Sequence, residues 1–284
     1  MWKVPLFRVF WDEQDVDMVN AVLRRGEYWA NGPEIKEFEI EISKYVGAKY
    51  CVAFNSGTSA LHATLLACKL SSSAKIAIPS FSFIATANCV LFINAKPVFV
   101  DIEEQRLGLD PENLSEVIRN QEIDAIIPVH YSGLPCDIKE IMEVAHRKKN
   151  IVIIEDAAES FGATMDGKKT GTFGTAGVFS FAPNKIITTG EGGAVVTDSK
   201  EIFERLLLAR SHGRLENVDY FSSNEPSDYV DLGFNFRMPS IVAALGIAQM
   251  KKVEKVISLR RERAKYISRN LSKLKDVLIP NEPA

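Results

Sequence analysis

The sequence has little that would direct the chain to a membrane, a metal or a nucleic acid. No apolar run among its 284 residues reaches the roughly 20 residues of a bilayer-spanning helix. The start, MWKVPLFRVFWDEQD, lacks the apolar core and small-residue cleavage site of a secretory leader. The four cysteines, Cys51, Cys68, Cys89 and Cys136, include no CxxC pair. That spacing indicates neither a disulfide framework nor a zinc site, and they read as buried thiols of a reducing compartment. The four histidines, His62, His130, His146 and His212, are too scattered for a metal cluster. A net charge of −3 and a pI of about 5.9 supply no basic field for nucleic acid. No GxGxxG or GxxxxGK[ST] follows an apolar run, and GTFGTAG has the wrong spacing, which argues against a nucleotide-binding module. Repeats, low-complexity tracts and evident linkers are also missing. The expectation is a soluble cytoplasmic protein without a metal.

What the chain does have is a core and a strong alternation. With 46% hydrophobic residues and 31.6 kDa it can bury one large domain and part of another. In GPEIKEFEIEISKYVG, the apolar residues Ile35, Phe38, Ile42 and Tyr45 fall three or four apart, one helical stripe. CVAF reads as a strand and TSALHATLLACKL as a helix, and KIAIPS, KPVFVD, AIIPVH, IVIIED, AGVFSF and GGAVVT read as short apolar strands. Helical stretches at Pro111 to Asn120 and Ile138 to Lys149 separate several of them. Continuously apolar strands alternating with helices predict an α/β fold, a three-layer structure with a mostly parallel sheet covered on both faces. In such sheets ligands collect beyond the carboxyl ends of the strands, so the residues just past each apolar run are the ones to read.

After CVAF comes NSGTSALH, where Gly57 permits a tight turn while Thr58 and Ser59 bring hydroxyls and backbone N–H groups to a helix start. That outlines an anion cradle, and it equally describes an ordinary helix cap by Ser56 or Thr58. After IVIIE comes Asp156, a carboxylate able to cap the next turn or to hold a buried cation. Strand alternation points Glu155 away from Asp156, whereas Glu159 stands about one helical turn beyond, so Asp156 and Glu159 form the inward pair. His130, just after IIPV, can line the site or be a satisfied structural histidine. In FSFAPNKIITTGEGG, Lys185 sits between apolar flanks and a glycine-rich turn. An isolated lysine is usually solvated, but a lysine amine is also the nucleophile that forms a Schiff base with pyridoxal phosphate. Such a site needs an amine for the aldehyde, an acid for the ring nitrogen and a cradle for the phosphate. Lys185, Asp156 and the Gly57 to Ser59 turn match that set.

The ordered motifs NGPEIKEFE, NSGTSALH, PSFSFIATAN, KPVFVDI, IIPVHYSG, EDAAESFGA, FSFAPNKIITTGEGG and GFNFRM resemble those of the nucleotide-sugar aminotransferases, which have the aspartate-aminotransferase fold (fold type I). The resemblance runs from about Asn31 to Met250 and implies a pyridoxal 5′-phosphate enzyme. It makes Lys185 the Schiff-base lysine and proton shuttle, and Asp156 the partner of the ring nitrogen. It makes Phe83 the aromatic stacked on the ring, otherwise a core residue by type, and Ser180, Thr58 and Ser59 the phosphate ligands beside Gly57. Glu159 matches a position near the ring hydroxyl. Asn235 matches a residue that reaches the cofactor phosphate of the neighbouring subunit, which implies a homodimer with a shared active site; by residue type alone it could simply favour a turn beside Gly233. Arg237 receives no firm role. The implied partners are an amino-acid donor, glutamate, and a keto-deoxy sugar nucleotide as acceptor, feeding amino-sugar and polysaccharide synthesis.

Members of the family carry a further C-terminal small domain, whereas this chain stops at Ala284, soon after a helical stretch from about Ser240 to Leu274. The expected division is a cofactor-binding domain over 1–240 and, over 241–284, a linking helix with the truncated start of a small domain that is largely absent. Apolar residues at Ile241, Leu245, Ala248, Ile257, Ala264, Ile267 and Leu271 keep close to helical period, so part of that stripe should lie exposed. Two other functions stay open: a non-catalytic cofactor-binding regulator or partner subunit, and a sugar dehydratase on the same fold. The resembling dehydratases replace the lysine by histidine, so Lys185 argues against the second.

Overall fold

The computed structural model describes residues 5–148, 150–215, 228–277 and 279. Near the N-terminus, helix α1 (Glu13–Arg25) is capped by Asp12, whose side chain accepts from Gln14 N while Asp15 reaches back to the Asp12 N–H. Helix α2 (Pro33–Val46) begins on Pro33 and ends at Gly47, whose φ of 84° is the left-handed turn glycine permits. Its stripe is the predicted one: Ile35, Phe38 and Ile42 are buried and Tyr45 is half-buried.

Strands β1 (Tyr50–Phe54), β2 (Lys75–Pro79), β3 (Lys96–Val100), β4 (Ala125–Ile126), β5 (Val152–Asp156), β8 (Ala176–Ser180) and β9 (Gly193–Thr197) form one sheet in the order β1-β9-β8-β5-β4-β2-β3. A separate small hairpin pairs β6 (Thr164–Met165) with β7 (Lys168–Lys169). From β8 to β3 every pairing is parallel, and β9 runs antiparallel to both β8 and β1. The mostly parallel sheet thus carries an antiparallel insertion. Antiparallel neighbours need no crossover helix, so β8 and β9 are joined by the loop 181–192 alone, and that loop carries Lys185.

Helices cover both faces, as the apolar strands require. On one side α3 (Gly57–Ala67), α4 (Ala85–Phe92) and α7 (Lys200–Arg210) pack against β1, β2 and β8 through Leu61, Leu65, Cys89 and Leu206. On the other side α2 and α8 (Ser240–Met250) cover β1 and β9 through Phe38, Ile42, Ala243 and Ile247. Also there, α5 (Pro111–Asn120) and α6 (Ile138–His146) cover β2 and β4 through Leu114, Ile118 and Ile141. The α5 bounds are those of the sequence reading; α6 stops at His146, and Lys149, the predicted end, lies outside the described residues. All four cysteines are free thiols.

Two expected elements change. AIIPVH supplies only the two-residue β4, because Pro128 has no N–H for a ladder, and pairing resumes as an isolated bridge between Val129 and Asp156. The stretch read as one helix from Ser240 to Leu274 is two, α8 and α9 (Val253–Leu271), broken at Lys251 and Lys252. At the break the buried Lys252 Nζ lies 2.7 Å from Asp12 Oδ1 and 2.5 Å from Asp15 Oδ2, which pins the junction to the start of α1. Val253, Val256 and Ile257 are buried, while Ala264, Ile267 and Leu271 of the same helix are exposed. Residues 278 and 280–284, the end of the second predicted region, lie outside the described residues. Among the described residues no helix is long and apolar enough to cross a membrane.

Candidate active site

The site begins at the carboxyl end of β5, where consecutive acids point to opposite faces. Glu155 is fully buried and accepts from the backbone N–H groups of Gly171 (2.7 Å), Phe173 (2.6 Å) and Gly174 (2.7 Å). It also pairs with His130 Nε2 at 2.9 Å. His130 Nδ1 accepts from Cys136 N, so its proton sits on Nε2 and is donated to Glu155. His130 is therefore the satisfied structural histidine and not a lining residue.

Asp156, buried on the opposite face, accepts from Thr86 Oγ1 at 2.8 Å and from Ala158 N at 3.2 Å. The second bond closes a turn two residues long; the chain leaves β5 through turns and not a helix, so Glu159 is brought inward by a bend. Burial pushes the Asp156 carboxyl above its ordinary value, with the nearby Glu159 adding to the rise. The Thr86 and Ala158 donors and the Lys185 ammonium pull the other way. A buried carboxylate held mainly by neutral donors is short of a cation, and a protonated ring nitrogen is such a cation.

Thr86 was not singled out in the sequence. It sits in the first turn of α4, where Ser82 Oγ lies 2.6 Å from its hydroxyl and its N–H donates to Phe83 O. Phe83, one turn ahead of it, is 72% exposed, so the aromatic predicted to stack on a ring is not spent in the core.

The Lys185 amine is held by Glu159, which is itself anchored. Lys185 Nζ lies 3.1 Å from Glu159 Oε1, while Glu159 Oε2 accepts from Ser132 N at 2.8 Å. The lysine side chain is only 15% exposed. Its acid partner is 26 residues away in the chain, which is why no local acid could be read beside it.

The third part is the amino end of α3. Ser56 is the cap, accepting from Ser59 N while the Ser59 hydroxyl turns back to Ser56 and to Asn55 Oδ1 at 2.6 Å. The cap reading of NSGTSALH therefore holds, with the capping box built from Ser56 and Ser59. A Cβ at Gly57 would meet Ser180 Cβ at 2.9 Å and Oγ at 3.2 Å, so the end of β8 closes on the helix start and only glycine fits between. Thr58, on the first turn, is half-buried. Asn235 is exposed, with its carbonyl accepting from Asn55 Nδ2 at 3.4 Å, and Arg237 Nη1 donates to Ser211 Oγ at 3.1 Å.

The fold thus gathers Asp156, Glu159 and Lys185 on one face, with Phe83 three residues from Thr86, the donor to Asp156, and sets Gly57, at the start of α3, against Ser180. The model of the DegT/DnrJ/EryC1/StrS aminotransferase family matches residues 10–284. GDP-perosamine synthase of Caulobacter vibrioides is 39% identical over 243 residues, 86% of this chain and 63% of that protein. GDP-perosamine synthase of Escherichia coli O157:H7 is 34% identical over 277 residues, 98% of this chain and 74% of that protein. Among solved structures, the E. coli GDP-4-keto-6-deoxy-D-mannose-3-dehydratase with bound hydrated PLP superimposes with a TM-score of 0.93 at 30% identity, covering 100% of this chain and 76% of that one.

Proposed function

The chain belongs to the DegT/DnrJ/EryC1/StrS aminotransferase family, with pyridoxal 5′-phosphate as cofactor, and from that premise we propose that it transfers an amino group from glutamate to a keto-deoxy sugar nucleotide. The product would be an amino-sugar nucleotide for polysaccharide synthesis. The observation that carries the reading is Lys185: a largely buried amine, hydrogen-bonded to Glu159 beside the buried Asp156, stands where the resembling dehydratases carry histidine.

The residues present fit the cofactor. Asp156 would hold the ring nitrogen, Phe83 the ring face, and Gly57, Thr58, Ser59 and Ser180 the phosphate, while Lys185 would carry the aldehyde. When bound, the cofactor supplies an electron sink for the pair left behind as a proton leaves the substrate carbon. Lys185 Nζ would take the α proton of the donor and pass it on, and in the second half would move a proton to the sugar carbon that receives the amino group. Glu159 keeps that amine on the Asp156 side between transfers. Two substrates that use one site in turn give ping-pong kinetics.

The working unit in this reading is a homodimer, with Asn235 reaching the cofactor phosphate of the neighbouring subunit. Supporting it are the exposed Asn235 and the exposed apolar side chains Ile84, Leu91 and Phe92 around α4, an area that a second copy would cover. The division into a cofactor domain over 1–240 and a linking segment from 241, and a cytoplasmic setting, belong to the same proposal.

The test is an absorbance spectrum of the protein with pyridoxal phosphate, before and after glutamate, beside Lys185→Ala. A visible band that glutamate bleaches in the parent, and that the variant never forms, supports the reading. A band unmoved by glutamate makes the chain a binder and not a transaminase. A parent without the band overturns the assignment of Lys185.

A further inference from the structure

Arg260 reaches from α9 into the loop that carries Lys185. One guanidinium nitrogen, Nη2, donates to the carbonyl of Lys185 at 2.8 Å and to that of Asn184 at 3.1 Å. The loop's own bonds close its base, Phe181 N to Gly192 O and Thr189 N to Phe181 O, and form the turn from Lys185 N to Ala182 O. Both carbonyls at the lysine are thus gripped from another element. The helix bearing Arg260 is itself seated beside the site. Val253, Val256 and Ile257 are buried on the same stripe, and a Cβ at Gly162, in the segment after Glu159, would collide with Ile257 Cδ1. Tyr45 Oη donates to Glu254 at 2.6 Å on the first turn.

A lysine amine hangs on four rotatable bonds, so its reach is set by where its backbone is held. Joining it to the cofactor aldehyde forms a C=N bond between Lys185 Nζ and the aldehyde carbon and releases the aldehyde oxygen as water. The reacting atoms must be brought to about 3–3.5 Å in the right orientation, and a displacement of about 1 Å can cost about a hundredfold in rate. We propose that Arg260 is a positioning residue which, by holding the carbonyls of Asn184 and Lys185, fixes where Lys185 Nζ meets the cofactor and ties α9 to the chemistry. The inference rests on the assignment of Lys185 under Proposed function.

The experiment compares binding of pyridoxal phosphate with that of pyridoxamine phosphate, which has an amine in place of the aldehyde and cannot bond to the lysine. The full chain is titrated as parent, Arg260→Ala, Arg260→Lys and, as a control one turn away, Arg263→Ala. Arg260→Ala is expected to lose about tenfold in affinity for pyridoxal phosphate and less than about twofold for pyridoxamine phosphate. Arg260→Lys should recover part of the loss, and Arg263→Ala should match the parent. A general loosening of the pocket would weaken both ligands together; that result, or no change in either, overturns the inference. A parent that binds the two ligands equally overturns the assignment of Lys185, and the inference with it.

Discussion

Thr86 Oγ1 donates to Asp156 Oδ2 at 2.8 Å across 70 residues of sequence, joining the first turn of α4 to the end of β5. Valine has the shape of threonine without the hydroxyl, so Thr86→Val leaves the packing and removes one of two neutral donors. The carboxyl should rise further above its ordinary value, and affinity for pyridoxal phosphate should fall about tenfold, the usual cost of a hydrogen bond to a charged group. A titration showing unchanged affinity would remove Thr86 from the site.

Asp156→Asn should separate stability from binding. Because burial raises the carboxyl above 3.8, the unliganded native state keeps a proton that the unfolded chain has already released. Stability contributed by that proton is present at low pH and is lost as pH rises through the raised value. Asparagine lacks this slope. Thermal melts between about pH 4 and pH 8 should therefore show a flatter curve for the variant, which at neutral pH is no less stable than the parent. Its affinity for pyridoxal phosphate should nonetheless fall by about a hundredfold, since a buried cationic ring nitrogen loses its partner.

Glu155→Ala is the contrasting case one residue earlier. It strips four hydrogen bonds from three backbone N–H groups and His130. The expected loss is about 3–5 kcal/mol, as for breaking a buried charged network, or on the order of 10 °C in Tm for a chain of this size. Calorimetry would read it, and the fraction that remains folded should bind the cofactor as the parent does.

Gly57→Ala tests the cradle. The added Cβ would press on Ser180 at 2.9 Å, a backbone-proximal contact that cannot swing away. A stability loss of about 1–2 kcal/mol is expected from the overpacking, with cofactor affinity falling about tenfold as the start of α3 and the end of β8 are forced apart. Equal affinity in parent and variant would show that this approach does not shape the phosphate site.

Much of the fold and site is legible in the sequence because it rests on local pattern. The stripe Ile35, Phe38 and Ile42 comes from helical period, the buried strands β1, β5, β8 and β9 from continuous apolar runs, and the opposite faces of Glu155 and Asp156 from strand alternation. What stayed hidden is held by distant residues. The apolar pattern continues across Lys251 and Lys252, and the acids that hold Lys252 at the break, Asp12 and Asp15, are 240 and 237 positions away. Glu159 as partner of Lys185, Thr86 as donor to Asp156 and Arg260 on the lysine loop are likewise contacts made by the fold and not by neighbours in sequence. In the AIIPVH stretch the loss of pairing is local, and Pro128 was its visible sign.

The adjacency of Glu155 and Asp156 bears on which sequence changes this chain can accept. Loss or gain of one residue within Val152–Asp156 would reverse which side chain faces which layer. Loss of a residue would set an aspartate, one methylene shorter, before the three N–H groups that Glu155 serves and leave Ala157 opposite Thr86, whereas gain of one would crowd a glutamate into that place. Substitutions can test the two duties one at a time, but a deletion here strikes both together, so length variation among related chains should avoid this strand and collect in the connections beyond it.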